Sequence, residues 1–272
     1  MRVQPPQLRI WSTLQQHREY TRGDDLRRVD WKVWGRQDRL YVKEFEDETS
    51  LRLFLLIDGS ASMDYQPPRF AEAAGLTKFD YAATLAASLG WLGLQQGDAV
   101  GAAVFDDRVR ASVPARTSRT HLASIVASLE QPRQQHPSDF RGVFRSLAET
   151  LPRRGLVVIL SDLFGDRNDI AKGLQLLRQR GHDIAILHVL DDDELDFPFD
   201  GPTRFESLEL AEELACNPRA LRAGYLEAVE EFLADVRGRA AAARCDYQLV
   251  RTGQPVDAAL VNFLARRSRT RS

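Results

Sequence analysis

The stretch LRLFLLIDGSASM at residues 51–63 decides the fold of this chain. Its first seven residues form a nearly continuous apolar run that ends in Asp58, Gly59 and Ser60. Runs of this length that do not alternate with polar residues are typical of strands buried in a parallel sheet. Three more runs share this character: GDAVGAAVF at 97–105, GLVVILS at 155–161 and DIAILHVL at 183–190. The sequence therefore predicts a buried, parallel sheet.

Helix-like stretches separate these runs. Residues 78–96 place Leu85, Leu89 and Leu92 at spacings of four and three, as on one face of a helix. Similar periods occupy 139–151 and 168–180, with Asn168 as the expected N-cap of the second. The C-terminal part is expected to add a short strand at 203–210, a helix from Asn217-Pro218 to about residue 243, a strand at 246–252 and a helix at 256–266. This alternation predicts an α/β fold with a doubly wound, mostly parallel sheet flanked by helices.

Residues 1–50 differ in character from residues 51–272, which form the predicted α/β domain. They are dense in charge and hold three of the four tryptophans: Trp11, Trp31 and Trp34. Aromatic side chains of this size are usually buried, so we expect a small N-terminal extension that forms an accessory lobe. Its aspartates Asp24, Asp25 and Asp30 either pair with neighbouring arginines, which we favour, or form a second cation site.

The composition excludes several classes of protein. The 272 residues are 43% hydrophobic, enough for a full core, and a net charge of -2 gives no overall attraction to nucleic acid. The two cysteines, Cys216 and Cys245, lack the spacing of a thiolate zinc site. Free thiols are typical of the reducing cytoplasm, where we expect this chain to act. The sequence holds no signal-like N-terminal stretch and no apolar run of about 18 residues, so we predict no membrane span.

Oxygen-bearing side chains follow the first strand. Asp58 lies at its carboxyl end, Gly59 allows a sharp turn, and Ser60 and Ser62 are two residues apart. Ligands of open parallel sheets bind outside the carboxyl ends of the strands. One carboxylate and two hydroxyls are hard ligands that suit Mg²⁺ or Mn²⁺.

The run GLVVILS also ends in an aspartate, Asp162. Two carboxylates at the ends of two buried strands can converge on one cation. The alternative is that Asp58 and Asp162 only cap the turns that follow them. Because two serines accompany Asp58, we favour the metal.

Asp-x-Ser-x-Ser at the end of a first strand resembles the metal-ion-dependent adhesion site of von Willebrand factor A domains. In that family a threonine from a later loop and an aspartate from the end of a later strand complete the site. The resemblance places Asp162 in the aspartate position and Ser138, from the run HPSDFRGVF, in the threonine position. Serine departs from the pattern but keeps the hydroxyl. Thr120 is a weaker candidate for the same role.

Residues 18–48, REYTRGDDLRRVDWKVWGRQDRLYVKEFEDE, resemble the signature of domain-of-unknown-function family 58. The matching positions are Arg18, Tyr20, Gly23, Asp24, Asp25, Arg28, Asp30, Trp31, Arg36, Leu40, Val42 and Lys43. Segments near residues 203–209 and 249–267 are also similar to that family. The resemblance covers nearly the whole chain from Arg18 onward.

This resemblance implies a protein-binding role. Proteins of this kind are often encoded beside MoxR-type AAA+ ATPases, and the pair is thought to assist the maturation or assembly of other proteins. We therefore expect Asp58, Ser60, Ser62, Ser138 and Asp162 to bind Mg²⁺ or Mn²⁺. The expected partner is such an ATPase or its client, which supplies a carboxylate to the open ligand position.

The sequence argues against two classes of enzyme. A haloacid-dehalogenase phosphatase needs a second aspartate two residues after Asp58, where this chain has Ser60. A hydrolase would need a histidine beside Ser60 or Ser62, and His136 is the only candidate near the site. We therefore expect no enzyme. The alternatives are a scaffold that binds no metal and uses residues 18–48 as its binding surface and, less favoured, a hydrolase that uses Ser60.

Overall fold

A computed structural model describes residues 17–19, 41–43, 51–67, 76–133, 136–200, 203–206 and 213–270. The chain divides into two compact units, Met1–Ser50 with Ser272, and Leu51–Arg271. In the first unit, β1 (His17–Glu19) pairs antiparallel with β2 (Tyr41–Lys43). The predictions for the accessory lobe fall outside the described residues, as do those for Trp11, Trp31, Trp34, Asp24, Asp25 and Asp30.

The second unit is built on a six-stranded sheet. Its strands are β3 (Arg52–Asp58), β4 (Ala99–Phe105), β5 (Val109–Arg116), β6 (Gly155–Ser161), β7 (His182–Leu190) and β10 (Asp246–Arg251). The spatial order is β10-β7-β6-β3-β4-β5, and every neighbouring pair is parallel except β4 and β5. A separate antiparallel pair joins β8 (Thr203–Glu206) to β9 (Glu213–Cys216). The predicted mostly parallel sheet is confirmed.

Strand β5 was not predicted from the sequence. It is an edge strand, and its residues alternate between exposed and partly exposed instead of forming an apolar run. Strand β5 therefore lacks the apolar run that predicted the other strands. Its antiparallel pairing with β4 closes one edge of the parallel sheet.

The described part of the chain holds seven α-helices, the last of which follows the last strand. They are α1 (Lys78–Gln95), α2 (His121–Leu129), α3 (Phe140–Thr150), α4 (Arg167–Gln179), α5 (Asp192–Asp196), α6 (Pro218–Ala242) and α7 (Val256–Thr270). The N-cap of α4 is Asp166, whose carboxylate accepts the amides of Asn168 and Asp169, so the prediction of Asn168 as the cap was wrong. No helix in the described part of the chain is both long and apolar enough to span a bilayer.

An aromatic cluster at the carboxyl edge of the sheet holds α3 in place. Phe140, the first residue of α3, lies edge-on to Phe105 at the end of β4, with ring centroids 6.0 Å apart. Phe144, one turn later, contacts both rings. All three side chains are buried. Edge-to-face pairs add roughly 0.5–1.5 kcal/mol each beyond area burial, and they fix the start of α3 over the strand ends.

Helices α3 and α4 approach each other at Gly173. A Cβ atom at Gly173 would lie 2.2 Å from Cδ2 of Phe144. We predict that Gly173→Ala destabilises the protein by about 1–3 kcal/mol, because the methyl group overpacks the contact. Gly224 in α6 is an exposed helical glycine with open space around its Cβ position.

Gly224→Ala is therefore the matched control, and we expect it to stabilise the helix by up to about 1 kcal/mol. Urea denaturation of both variants measures the two changes. Equal effects of the same sign would contradict the packing described for Gly173.

Candidate functional site

The site lies where three neighbouring strands end. Strand β3 lies between β4 and β6, and parallel pairing brings their carboxyl ends to one edge of the sheet. Asp58 is the last residue of β3, and Ser161 is the last residue of β6 and is followed by Asp162. All three are fully buried. The topology thus places the two predicted aspartates on adjacent strands.

The Asp58 carboxylate is held by neutral donors. Its Oδ1 accepts the Ser60 amide at 3.0 Å and the Ser138 hydroxyl at 2.8 Å. Its Oδ2 accepts the Ser161 hydroxyl at 2.6 Å. None of the described lysines or arginines forms an ion pair with this carboxylate. Asp58 is therefore a buried acid that is hydrogen-bonded but not neutralised.

The loop after β3 brings Ser60 and Ser62 together. The Gly59 amide donates to the carbonyl of Phe105 at 2.7 Å, and a Cβ atom at Gly59 would lie 3.0 Å from Val104. The Oγ atoms of Ser60 and Ser62 lie 3.1 Å apart, and both side chains are buried. Ser60 precedes a 3₁₀ turn but makes no capping hydrogen bond through its side chain. Its hydroxyl faces the site instead of serving the turn.

Ser138 reaches the site from the loop before α3. The amide of Asp139 donates to the carbonyl of Asp106 at 3.1 Å, which ties this loop to the end of β4. The carbonyl of His136 accepts the amide of Ala61, and no described hydrogen bond joins its ring to Ser60 or Ser62. Thr120 instead lies exposed, with its hydroxyl 2.7 Å from that of Ser118. Of the two candidates for the threonine position, Ser138 is the one that contacts Asp58.

Asp162 has a different environment. Its Oδ2 accepts the ammonium of Lys78 at 2.8 Å, and its Oδ1 accepts the amide of Phe164 at 3.1 Å. The same ammonium lies 2.6 Å from Oε1 of Glu194. Lys78 is the first residue of α1 and is 1% exposed. The structure therefore joins Asp162 to a buried cation that the sequence analysis did not identify.

His188 supports the end of β6 from the next strand. Its Nε2 lies 2.8 Å from the carbonyl oxygen of Asp162, and its Nδ1 lies 2.8 Å from the hydroxyl of Tyr247. Burial lowers the pKa of His188 to about 4, so the ring is neutral at pH 7. A neutral ring donates from Nε2 to the carbonyl and accepts from the tyrosine at Nδ1. His188 is thus a buried core histidine with a partner at each ring nitrogen.

Burial and neighbouring charges shift the pKa values of Asp58 and Lys78. Burial, together with the nearby charge of Asp162, raises the pKa of Asp58 to about 6, although hydrogen bonds from Ser161 and Ser60 oppose the shift. Burial alone would lower the pKa of Lys78, but the carboxylates of Asp162 and Glu194 raise it. Lys78 therefore stays charged, while Asp58 is an acid whose charged form lacks compensation.

The donor set at Asp58 fits a hard divalent ion. One carboxylate and the hydroxyls of Ser60, Ser62 and Ser138 are oxygen ligands of the kind Mg²⁺ and Mn²⁺ prefer. The 3.1 Å separation of the Ser60 and Ser62 hydroxyls is close to the ligand spacing of about 3 Å in an octahedron with bonds of about 2.1 Å. No group of three or more His, Cys, Asp or Glu side chains in the described ranges is arranged so that it could hold a metal ion. Hydroxyls would therefore have to supply much of the coordination.

The alternative role predicted for the two aspartates, turn capping, accounts for some of their hydrogen bonds. Both Asp58 and Asp162 accept a backbone amide two residues further on, from Ser60 and Phe164. That role leaves the convergence of the Ser138 and Ser161 hydroxyls on Asp58 unexplained. Capping and ion binding are therefore compatible at this site.

Three contributors to the site were missed by the sequence analysis: Lys78, Ser161 and Glu194. Ser161 ends an apolar strand next to Asp162, so its position at the strand end was a usable signal. Lys78 and Glu194 gave no such signal, because a single charged residue in a helix is usually exposed to solvent.

Comparisons with known proteins agree with this architecture. The family model of DUF58, a family of proteins of unknown function, matches residues 16–234. The uncharacterized protein Rv1480 of Mycobacterium tuberculosis H37Rv is 30% identical over 258 residues, which cover 93% of this chain and 78% of that protein.

Solved structures are also similar to this chain. A crystal structure of an aerotolerance-related membrane protein from Bacteroides fragilis has a TM-score of 0.50 at 16% identity and covers 80% of this chain and 99% of that chain. The SpRpn10 VWA domain has a TM-score of 0.41 at 14% identity and covers 78% and 94% of the two chains. The mostly parallel sheet flanked by helices is the architecture that the sequence predicted.

The raised pKa of Asp58 predicts a pH dependence of stability in metal-free buffer. A carboxyl with a raised pKa in the folded state stabilises the fold at low pH, and this contribution is lost as the pH rises through about 6. Asp58→Asn removes this titration. Its stability relative to the wild type should therefore rise between pH 4 and pH 7.5, by on the order of 3 kcal/mol.

Asp166→Asn is the matched control because hydrogen bonds, led by the Asp169 amide, lower the pKa of Asp166. Its difference from the wild type should have the opposite sign and shrink on acidification. Urea denaturation in EDTA at several pH values measures both trends. A pH-independent difference between Asp58→Asn and the wild type would contradict the description of Asp58.

Proposed function

The chain belongs to the DUF58 family of proteins of unknown function, and from this premise we propose that it is a metal-dependent protein-binding module. The von Willebrand factor A-like fold indicates a domain that acts by protein interaction. We propose that Mg²⁺ or Mn²⁺ binds at the carboxyl edge of the sheet and forms part of the binding surface. The proposal assigns no catalytic step to the chain.

One observation carries the proposal: Asp58 is a fully buried carboxylate surrounded by hydroxyls and without a described counter-cation. An uncompensated buried charge is costly, and the group is stabilised when it binds a proton or a cation. The hydroxyls of Ser60, Ser62 and Ser138 offer hard ligands beside it. A divalent ion would satisfy the carboxylate and use the hydroxyls together.

The charge of the site favours an acidic partner. The single positive charge of Lys78 offsets one of the two negative charges of Asp162 and Glu194, and its ammonium occupies Oδ2 of Asp162. Asp58 is then the carboxylate left to face the ion, so a bound divalent cation keeps positive charge in excess. A glutamate or aspartate of a partner protein is the natural ligand for the open position, because Mg²⁺ prefers hard anionic oxygen.

We propose a MoxR-type AAA+ ATPase, or a protein on which such an ATPase acts, as the source of that carboxylate. This assignment derives from the resemblance given by the motif in residues 18–48, and it places the interaction in the cytoplasm. The near-neutral charge of the chain favours no nucleic acid as partner.

Hydrolysis by Ser60 is not proposed. Its hydroxyl contacts the hydroxyl of Ser62 and the carboxylate of Asp58, and no described hydrogen bond joins it to a histidine. A nucleophilic serine needs an adjacent base. The scaffold without metal is the alternative that the following experiment tests.

We predict saturable Mn²⁺ binding by the wild-type protein in a titration followed by electron paramagnetic resonance. Asp58→Ala should abolish it, because the charged ligand is lost. Ser138→Ala should weaken it about tenfold or more, because the side chain that hydrogen-bonds Asp58 is lost. Thr120→Ala removes a hydroxyl from the alternative position and should leave the affinity unchanged.

Binding of a candidate MoxR-type ATPase in Mg²⁺ and in EDTA completes the test. We expect binding in Mg²⁺ and its loss in EDTA and in Asp58→Ala. ATPase binding that survives both treatments would contradict the proposal and support a scaffold that binds without metal. Mn²⁺ binding that appears only when the ATPase is present would show that the partner carboxylate completes the site.

A further inference from the structure

A buried triad of charges adjoins the candidate metal site. The ammonium of Lys78 lies 2.8 Å from Oδ2 of Asp162 and 2.6 Å from Oε1 of Glu194. The side chains of Lys78 and Asp162 are fully buried, and that of Glu194 is 17% exposed. These contacts join the start of α1, the end of β6 and α5. A triad that links three separate elements is fixed by the fold and not by one local turn.

The surroundings hold each member of the triad in place. Lys78 follows the N-cap Thr77, which forms a capping box with Asp80 and so fixes the first turn of α1. The Lys78 amide donates to the carbonyl of Tyr65 at 3.2 Å, and the ring of Phe164 lies 5.0 Å from its ammonium. The lysine is therefore positioned at both ends of its side chain.

Glu194 is fixed in the same way. Its Oε2 accepts the amide of Asp191 at 2.8 Å, and its own carbonyl accepts the hydroxyl of Tyr225 at 2.9 Å. The carboxylate thus presents its other oxygen to Lys78.

The two site aspartates differ in their partners. Both oxygens of Asp162 are engaged, one by a full positive charge and the other by the amide of Phe164. The partners of Asp58 are neutral hydroxyls and one amide. A cation that enters the site would compete with Lys78 for Asp162, whereas it meets no described cation at Asp58.

Stability alone is a weak reason for such a triad. Replacing a buried ion pair by apolar residues of similar size is often neutral or stabilising, because the charges must be desolvated. A buried lysine beside a cation site instead controls how much negative charge the site offers.

We propose that Lys78 withholds Asp162 from the divalent ion, so that Asp58 is the carboxylate that binds it. This inference rests on the proposed function and deepens it, because it names the residue that keeps the bound ion electron-poor. Lys78 is then a specificity-determining residue, since a less neutralised ion binds the carboxylate of a partner more tightly.

The test is a set of Mn²⁺ titrations on the full chain, followed by electron paramagnetic resonance. Asp162→Asn should change the dissociation constant by less than about threefold, while Asp58→Asn should abolish binding. Lys78→Met should tighten binding by about tenfold or more, because a second carboxylate becomes available to the ion.

Two double variants separate ligation by Asp162 from a general effect of charge. Adding Asp162→Asn to Lys78→Met should return the affinity to the wild-type range. Adding Glu194→Gln should not, because Glu194 is not expected to reach the ion. Lys172→Met, at an exposed lysine of α4, is the control for loss of a surface charge.

Each outcome has a distinct meaning. Loss of Mn²⁺ binding in Asp162→Asn alone would overturn the inference but leave the proposed function intact, and this arm decides the matter even where Lys78→Met does not fold. Binding by Lys78→Met but not by the wild type would support the withholding of Asp162 and overturn the proposed function. No binding in either protein would overturn both.

Discussion

The Asp58 carboxylate is buried at the carboxyl end of the central strand β3, and its partners are hydroxyl and amide groups. A carboxylate in this position costs free energy unless its charge is balanced. Ser60 and Ser62 approach each other beside it, while Ser138 and Ser161 donate to it. The arrangement of the whole edge follows from the need to accommodate this one charge.

The parallel pairing of the strands brings the side chains of the site to one edge of the sheet. Neighbouring strands β3 and β6 end side by side, so Ser161 and Asp162 reach the edge that holds Asp58. The aromatic contacts of Phe140 and Phe144 anchor α3, which in turn presents the loop of Ser138. A rigid core thus supports a site whose ligands come from loops, as is common for binding sites on α/β sheets.

The two aspartates at this edge of the sheet differ in whether a cation balances their charge, and this difference bears on ion binding. Lys78 offsets Asp162 and Glu194, and no equivalent cation faces Asp58 among the described residues. A site that offers one carboxylate without a paired cation and several hydroxyls would hold a divalent ion weakly and leave it attractive to an external anion. Such a balance suits reversible capture of a protein partner better than permanent storage of metal.

The sheet and the site residues Asp58, Ser60 and Ser62 could be predicted from the sequence because each depends on a contiguous pattern of residues. The apolar runs identified β3, β4, β6 and β7, and Asp58, Ser60 and Ser62 follow one of them directly. Edge strand β5 could not be predicted in this way, because its partly exposed residues do not form an apolar run. Lys78 and Asp162 are separated by 84 positions, and their contact depends on how α1 packs against the sheet, which no local pattern encodes.

The presence of a divalent ion at Asp58 is the central claim, and a crystal soaked in Mn²⁺ tests it most directly through anomalous scattering. The account predicts an anomalous peak bounded by Asp58 and the hydroxyls of Ser60, Ser62 and Ser138, with Lys78 still paired to Asp162. The absence of a peak at saturating Mn²⁺, in a crystal whose site is open to solvent, would contradict it. A peak bound by Asp162 with Lys78 displaced would contradict the division of charge while retaining the metal.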